Sequence, residues 1–234
     1  YQMQRMDRYK EVIGQMLPDV VFGCLRQIIP DRVPAEGTSC LWNINVRGRV
    51  NGGEGGNYGF GMAITSNGGT GARPDKDGLS ATAYPSGVRG TPVEIAETQT
   101  PLIFWRKEFR PDSGGAGRSR GGLGQIMEIE SGIAEPFDLL AAFDRIDYPA
   151  RGRDGGGDGE AGFVALKSGQ SLKGKGFQLI PPGDRLIVMT PGGGGIGAPA
   201  DRDRTRVAND LADELISPDS AEKLYAYKPP QAAE

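Results

Sequence analysis

The sequence predicts an α+β protein: a β-rich central region with glycine-rich loops, flanked by an N-terminal helix and C-terminal helices. Three observations lead there. Short alternating apolar segments recur through the middle of the chain. The 38 glycines and 17 prolines are spread among those segments rather than gathered in one low-complexity tract. Apolar residues at helical spacing occupy the two ends. With 234 residues and no internal repeat, residues 1–234 read as a single domain.

The elements follow in order. The first thirty residues read as helical, with Pro18 suited to the first turn of a helix. Val20, Val21, Cys24, Leu25 and Ile28 then recur at helical spacing, and Pro30 closes the segment. Cys40 to Val50 alternates as a strand, and glycines from 52 to 56 turn the chain into a second strand from Tyr58 to Thr65. Further strands are expected at Pro92 to Glu97, Leu102 to Phe109, Gly124 to Glu130, part of Phe137 to Arg145, Phe163 to Leu166 and Arg185 to Thr190. Residues 152 to 162 read as a glycine-aspartate loop. After Pro199, a helix places Val207, Leu211, Leu215 and Ile216 on one face. Ser217-Pro218 then caps a second short helix from Asp219 to Tyr225, and the tail from Pro229 is expected to fray.

Composition excludes several classes of function. The chain has no histidine, so neither a Ser–His–Asp triad nor a His-ligated zinc can be built from it. Any catalysis of its own rests on Asp, Glu, Lys, Arg, Tyr, Ser or Cys. A net charge of -3 with interspersed signs argues against nucleic-acid binding. No apolar run approaches the roughly 20 residues a membrane helix needs. The two cysteines, Cys24 and Cys40, sit in apolar settings and read as buried, reduced thiols of a cytoplasmic protein.

Glycine-rich polar blocks are the strongest functional signal: SNGGTGARPDKDG (66–78), YPSGVRGTPVEIAET (84–98) and RPDSGGAGRSRGG (110–122). Such composition is not expected to pack as a core, and glycine lets backbone N–H groups approach a ligand closely. The first block lacks the Gly-Lys-Ser/Thr ending of a P-loop, and no helix start follows it. The block reads either as a turn-rich structural loop or as a ligand-contacting one, in which Gly68, Gly69 and Gly71 are candidate substrate-binding backbone and Arg73, Lys76 and Asp77 the contacting side chains. In the third block, Arg118 and Arg120 face either an anion or a partner carboxylate, or solvent. TPGGGGIGAP (190–199) follows an apolar strand and offers either an anion-binding nest of N–H groups or a thin turn under a neighbouring subunit. Arg89 and Glu94 complete the candidate binding set. Glu94 and Glu97 lie three apart on the expected strand and point to opposite faces, so they form no carboxylate pair.

Taken in order, these blocks resemble the hydantoinase B/oxoprolinase family. GQMLPDVVFGCL, DRVPAEGTSCLWN, GGTGARPDKDGLSAT, VRGTPVEIAE, RPDSGGAGRSRGGLG, and PGGGGIGAP followed by a helix and SPDSAEKLY carry the resemblance from about Gly14 to Tyr225. It implies a portion of the B-type subunit of an ATP-dependent cyclic-amide hydrolase that opens hydantoin or 5-oxoproline rings. It equally implies a subunit of an ATP-dependent ketone carboxylase, or a non-catalytic assembly module of such a complex. The implied partners are an A-type ATPase subunit and an N-terminal half carrying the metal-associated Asp and His residues. ATP and a divalent metal are then expected in the whole complex and none bound by this portion itself. Catalytic residues are not assigned, and a start at Tyr1 within a polar stretch reads as part of a longer chain.

Overall fold

The computed structural model describes residues 2–53 and 56–228. The tip of the expected 52–56 turn and the tail from Pro229 lie outside the described residues. A helix, α1 (Gln2–Leu25), opens the chain. A long hairpin follows, β1 (Leu41–Gly53) with β2 (Gly56–Asn67), and then a short helix, α2 (Val93–Gln99). Six strands come next: β3 (Leu102–Phe109), β4 (Gln125–Ser131), β5 (Phe137–Ala142), β6 (Phe163–Leu166), β7 (Lys175–Ile180) and β8 (Arg185–Met189). Two short helices, α3 (Arg204–Ala212) and α4 (Pro218–Lys223), end the described chain.

The strands form two four-stranded sheets, ordered β2-β1-β5-β7 and β3-β4-β8-β6, and every pairing is antiparallel. Alternation explains how they stack. Along β1, Trp42, Ile44 and Val46 turn inward while Arg47 and Arg49 turn out. The first sheet's Ile64, Phe137 and Leu139 share one apolar cluster with Met127, Ile129, Leu186 and Val188 of the second. Trp42 stacks on Phe143 at 4.3 Å between ring centroids, and its indole N–H donates to the Asp144 carbonyl at 3.1 Å.

Beside this sandwich the glycine-rich stretches 66–78, 110–122 and 190–199 pack as a second interior, contrary to the expectation that such composition does not pack as a core, while residues 84–90 are exposed. The segment 191–197 is its axis. Gly192 and Gly195 donate to carbonyls of segment 157–160, Gly193 and Ile196 to segment 119–122, and Gly194 to Glu36. Donors three residues apart meet the same neighbour, which is the period of an extended threefold helix and not of a strand. Segments 35–38, 69–72, 113–117, 119–122, 150–153 and 157–160 surround the axis, each joined to it by a backbone hydrogen bond. Backbones this close leave no room for side chains. A Cβ on Gly192 would stand 1.7 Å from the Ser113 carbonyl oxygen, and one on Gly193 2.0 Å from that of Thr70. Glycine here is a packing residue, as at the crowded axis of collagen.

Other expectations are corrected as follows. Residues 92–97 form no strand: Pro92 stands at the N-cap of α2, and the Thr98 hydroxyl donates back to the Glu94 and Ile95 carbonyls. Glu94 and Glu97 therefore lie one helical turn apart and not on opposite faces. The sequence reading left out β7, an edge strand in which Ile180 alone is fully buried and Gly176 breaks the pattern. Helix α1 runs through Pro18 without restarting there, and its Val20, Val21 and Leu25 are exposed. Cys40 is buried but Cys24 is exposed, and both are free thiols. The two C-terminal helices are present, but α3 ends at Ala212, so Leu215 and Ile216 lie beyond it and not on its face; Ser217 caps α4 as expected, accepting from Ser220 N–H at 3.1 Å. Among the described residues no helix is long and apolar enough to cross a membrane.

Candidate functional site

An open cleft of about 820 Å³ lies between the second half of α1, the 34–38 segment and the stretch following β5. Asp19, Glu36, Arg145 and Arg151 give it its chemistry. The axial glycine packing sets its walls, since Glu36 accepts from Gly194 N–H and donates its own N–H to the Arg151 carbonyl.

Asp19 is buried, and its carboxylate accepts from the Ser39 hydroxyl at 2.5 Å, from Gly37 N–H at 3.4 Å and from Arg145 Nη2 at 3.3 Å. Burial is the largest influence and pushes its carboxyl above the usual range. The Ser39 and Gly37 hydrogen bonds and the Arg145 charge offset this only in part. Glu36 moves the other way. Burial again pulls upward, but hydrogen bonds from Arg151 and the charges of Arg145 and Arg151 outweigh it and hold the carboxyl below its ordinary value. The Glu36 carboxylate accepts from Arg151 Nε at 2.8 Å, Nη2 at 2.5 Å and the backbone N–H at 3.1 Å, and from Arg145 Nη1 at 3.3 Å. Arg145 thus bridges two carboxyls whose proton affinities are driven apart, the arrangement that lets one hold or release a proton while the other stays charged.

The bridge is held by unusual backbone. Ser39 and Arg145 adopt φ of 44° and 60°, in the left-handed region that costs a non-glycine residue roughly 1 kcal/mol or more. Arg145 is fixed there by donating Nε to the Thr38 carbonyl at 3.2 Å as well as to the two acids.

The residues singled out from the sequence lie elsewhere. Gly68, Gly69 and Gly71 are buried within the glycine packing: Gly69 N–H donates to Pro191, and a Cβ on Gly71 would stand 2.0 Å from the Ala35 carbonyl oxygen. Asp77 binds Arg202 through both carboxylate oxygens at 2.8 Å, adds Arg206 at 2.7 Å and accepts from Arg120 N–H at 2.6 Å. Burial raises its proton affinity, but the Arg202 and Arg120 bonds and charges win and hold the carboxyl at about 2. Arg120 pairs within the chain with buried Asp210 at 3.3 Å. Arg73 is exposed and donates to the Asp77 carbonyl; Lys76 and Arg118 are exposed too. Arg89 and Glu94 are exposed near the end of β2, where Asn67 Nδ2 donates to Val88 and Thr65 N–H to the Thr91 hydroxyl. No hydrogen bond or ion pair among the described residues joins Arg89 or Glu94 to Asp77. The N–H groups of residues 192–197 all donate to protein carbonyls, so this run is no anion nest.

Sequence reading missed Asp19, Glu36, Arg145 and Arg151. Arg145 stands 126 residues from Asp19 and 109 from Glu36, so no local spacing announces the cluster.

A β-sandwich joined to a glycine-packed second interior, with an acid–arginine cleft between that interior and a long N-terminal helix, defines the class of protein. The chain belongs to the hydantoinase B/oxoprolinase family, whose model matches residues 8–199. An uncharacterized protein of Methanocaldococcus jannaschii is 35% identical over 219 residues, 92% of this chain and 37% of the relative. The B-type subunit of a putative D-/L-hydantoinase of Pseudomonas sp. is 30% identical over 219 residues, 89% of this chain and 35% of the relative. The ATP-dependent caprolactamase of Pseudomonas jessenii has a similar fold, with a TM-score of 0.71 at 24% identity, covering 90% of this chain and 38% of that one. The chain thus spans little more than a third of the length of each of these three proteins.

Proposed function

We propose that this chain is part of the B-type subunit of an ATP-dependent cyclic-amide hydrolase that opens hydantoin or 5-oxoproline rings with an A-type, ATP-using subunit in the cytoplasm. Family membership over residues 8–199 supports this most directly. A relative named as the B-type subunit of a hydantoinase adds the two-subunit arrangement.

In this reading the cleft contributes positioning and proton handling. Asp19, with its raised proton affinity, holds or releases a proton at the cleft wall, while Glu36 keeps Arg145 and Arg151 in place. A divalent metal does not fit the residues present. The chain has no histidine, and no three His, Cys, Asp or Glu side chains converge as metal ligands among the described residues. No step is assigned to a metal or to ATP in this portion. Exposed Arg73, Arg89 and Glu94 stay in the proposal as contacts to substrate or partner.

The test is ATP-dependent hydrolysis of hydantoin and 5-oxoproline by the whole B-type subunit with its A-type partner. Bicarbonate-independent ring opening that falls at least tenfold in Asp19→Asn supports the reading. ATP turnover that requires bicarbonate makes the complex a carboxylase. Strong association with unchanged turnover in Asp19→Asn, Arg73→Ala and Glu94→Ala leaves the chain an assembly module.

A further inference from the structure

Next to the acid–arginine cleft a second, smaller pocket of about 430 Å³ opens between the turn that follows α1, Glu36 and residues 151–153. Arg26, Arg151 and Arg153 line it from different stretches of chain. Of the four arginines gathered here, three are already matched. Arg145 faces Asp19 and Glu36, Arg151 faces Glu36, and Arg26 faces Asp154 at 3.7 Å. Arg153 is not. It is 5% exposed, it has no side-chain hydrogen bond or ion pair among the described residues, and its Nη1 is a buried donor without an acceptor.

An unmatched buried guanidinium is costly, because neither water nor a carboxylate replaces its lost hydration. The fold does not let it escape. Arg153 N–H donates to the Gly195 carbonyl at 2.9 Å and its own carbonyl accepts from Gly197 N–H at 3.0 Å, which ties its backbone to the glycine axis. Asp19, Glu36 and Asp154 act on it only at a distance, while Arg26 adds a second positive charge nearby. A rigid planar donor, desolvated, beside a second cation and at the wall of an open pocket, is the arrangement that recognises an oxyanion bidentately.

We propose that Arg153, with Arg26 and Arg151, forms an oxyanion-binding pocket that takes the phosphate or carboxylate group of a ligand. An incoming oxyanion pairs with the Arg153 charge that no carboxylate matches, and Arg26 contributes charge from the rim. The pocket does not depend on which reaction the assembled protein performs.

The experiment titrates the chain with inorganic phosphate and, separately, with acetate, each at constant ionic strength set with chloride. It reads the melting temperature and the Arg153 Nε–H resonance by NMR. Phosphate or acetate is expected to raise the melting point, by about 4 °C at tenfold over the dissociation constant, and to shift that resonance saturably. A response to phosphate alone assigns a phosphorylated ligand, and a response to acetate assigns a carboxylate. Arg153→Gln is expected to abolish the melting-point rise, and the exposed Arg26→Gln to weaken affinity about tenfold. If Arg153→Gln does not fold, Arg26→Gln decides. No saturable response to either anion, or unchanged affinity in Arg26→Gln and Arg153→Gln, overturns the proposal.

Discussion

Arg202 grips Asp77 through both carboxylate oxygens, Nη1 to Oδ1 and Nη2 to Oδ2, each at 2.8 Å across 125 residues of chain. The pair clamps the C-terminal helices to the first glycine block. Nη2 of Arg202 also reaches buried Asp210 at 2.6 Å, and Tyr225 packs beneath, with the guanidinium 6.0 Å above its ring. The Arg202 side chain is 1% exposed, so removing the Asp77 charge leaves the buried guanidinium with Asp210 as its one remaining carboxylate partner. Asp77→Asn is expected to cost about 3 kcal/mol, read as a lower urea midpoint at unchanged slope. Because the folded carboxyl is held at about 2, below its unfolded value near 4, its contribution is present above about pH 4 and is lost as pH falls towards 2. The variant is expected to lose less stability over that window than the parent chain.

Gly193→Ala tests the glycine interior. Its new methyl meets the Thr70 carbonyl oxygen at 2.0 Å, and main chain cannot rotate out of the way as a side chain can. A loss of about 3 kcal/mol or more is expected. Gly14→Ala serves as the control: it lies within α1, nothing stands within 4 Å of the new methyl, and a gain of about 1 kcal/mol is expected there. Equal effects at the two positions refute the packing role.

The carboxyl of Asp19 binds its proton more tightly in the folded chain than in the unfolded one, chiefly because it is buried. Its contribution is therefore full below the unfolded value and fades as pH rises through the raised folded value. Unfolding free energies measured from about pH 4 to pH 8 should show that decline in the parent chain and a flatter profile in Asp19→Asn. A decline of equal size in both removes the proton-holding role.

The two thiols should separate cleanly in a labelling experiment. Burial pushes the Cys40 thiol to about 12, which leaves almost no thiolate at neutral pH, whereas Cys24 is exposed on α1. One label per native chain and two in denaturant are expected, with Cys24 the native site.

Strands such as β1 and β5 were readable because each buries a single face. Trp42, Ile44 and Val46 alternate with polar residues, and that pattern survives any tertiary context. The segment PVEIAET misled because seven residues cannot separate period 2 from a short helix, and Pro92 served as a helix cap rather than a strand start. The glycine blocks misled for a deeper reason. Burial is ordinarily announced by apolar side chains, and here the buried groups are amides, satisfied by neighbours from segments as distant as 35–38, 69–72, 113–122 and 150–160. Nothing local to PGGGGIG reports those partners. The same holds for the cleft: DRVPAEGTSC carries Glu36 and Ser39, but their meeting with Asp19 and Arg145 is made by the fold alone.

The Glu36 wall of the cleft and the Arg153 wall of the second pocket are both hydrogen-bonded to the axis at residues 191–197, so hydrogen exchange of those amides is the most direct test. If the axis is an interior, the amides of Gly192 to Gly197 should exchange as slowly as those of central strand β4, with opening energies near that of global unfolding. Exchange as fast as in the exposed 85–90 loop would mean the glycines are a surface loop after all, and would contradict the packed interior on which both pockets rest.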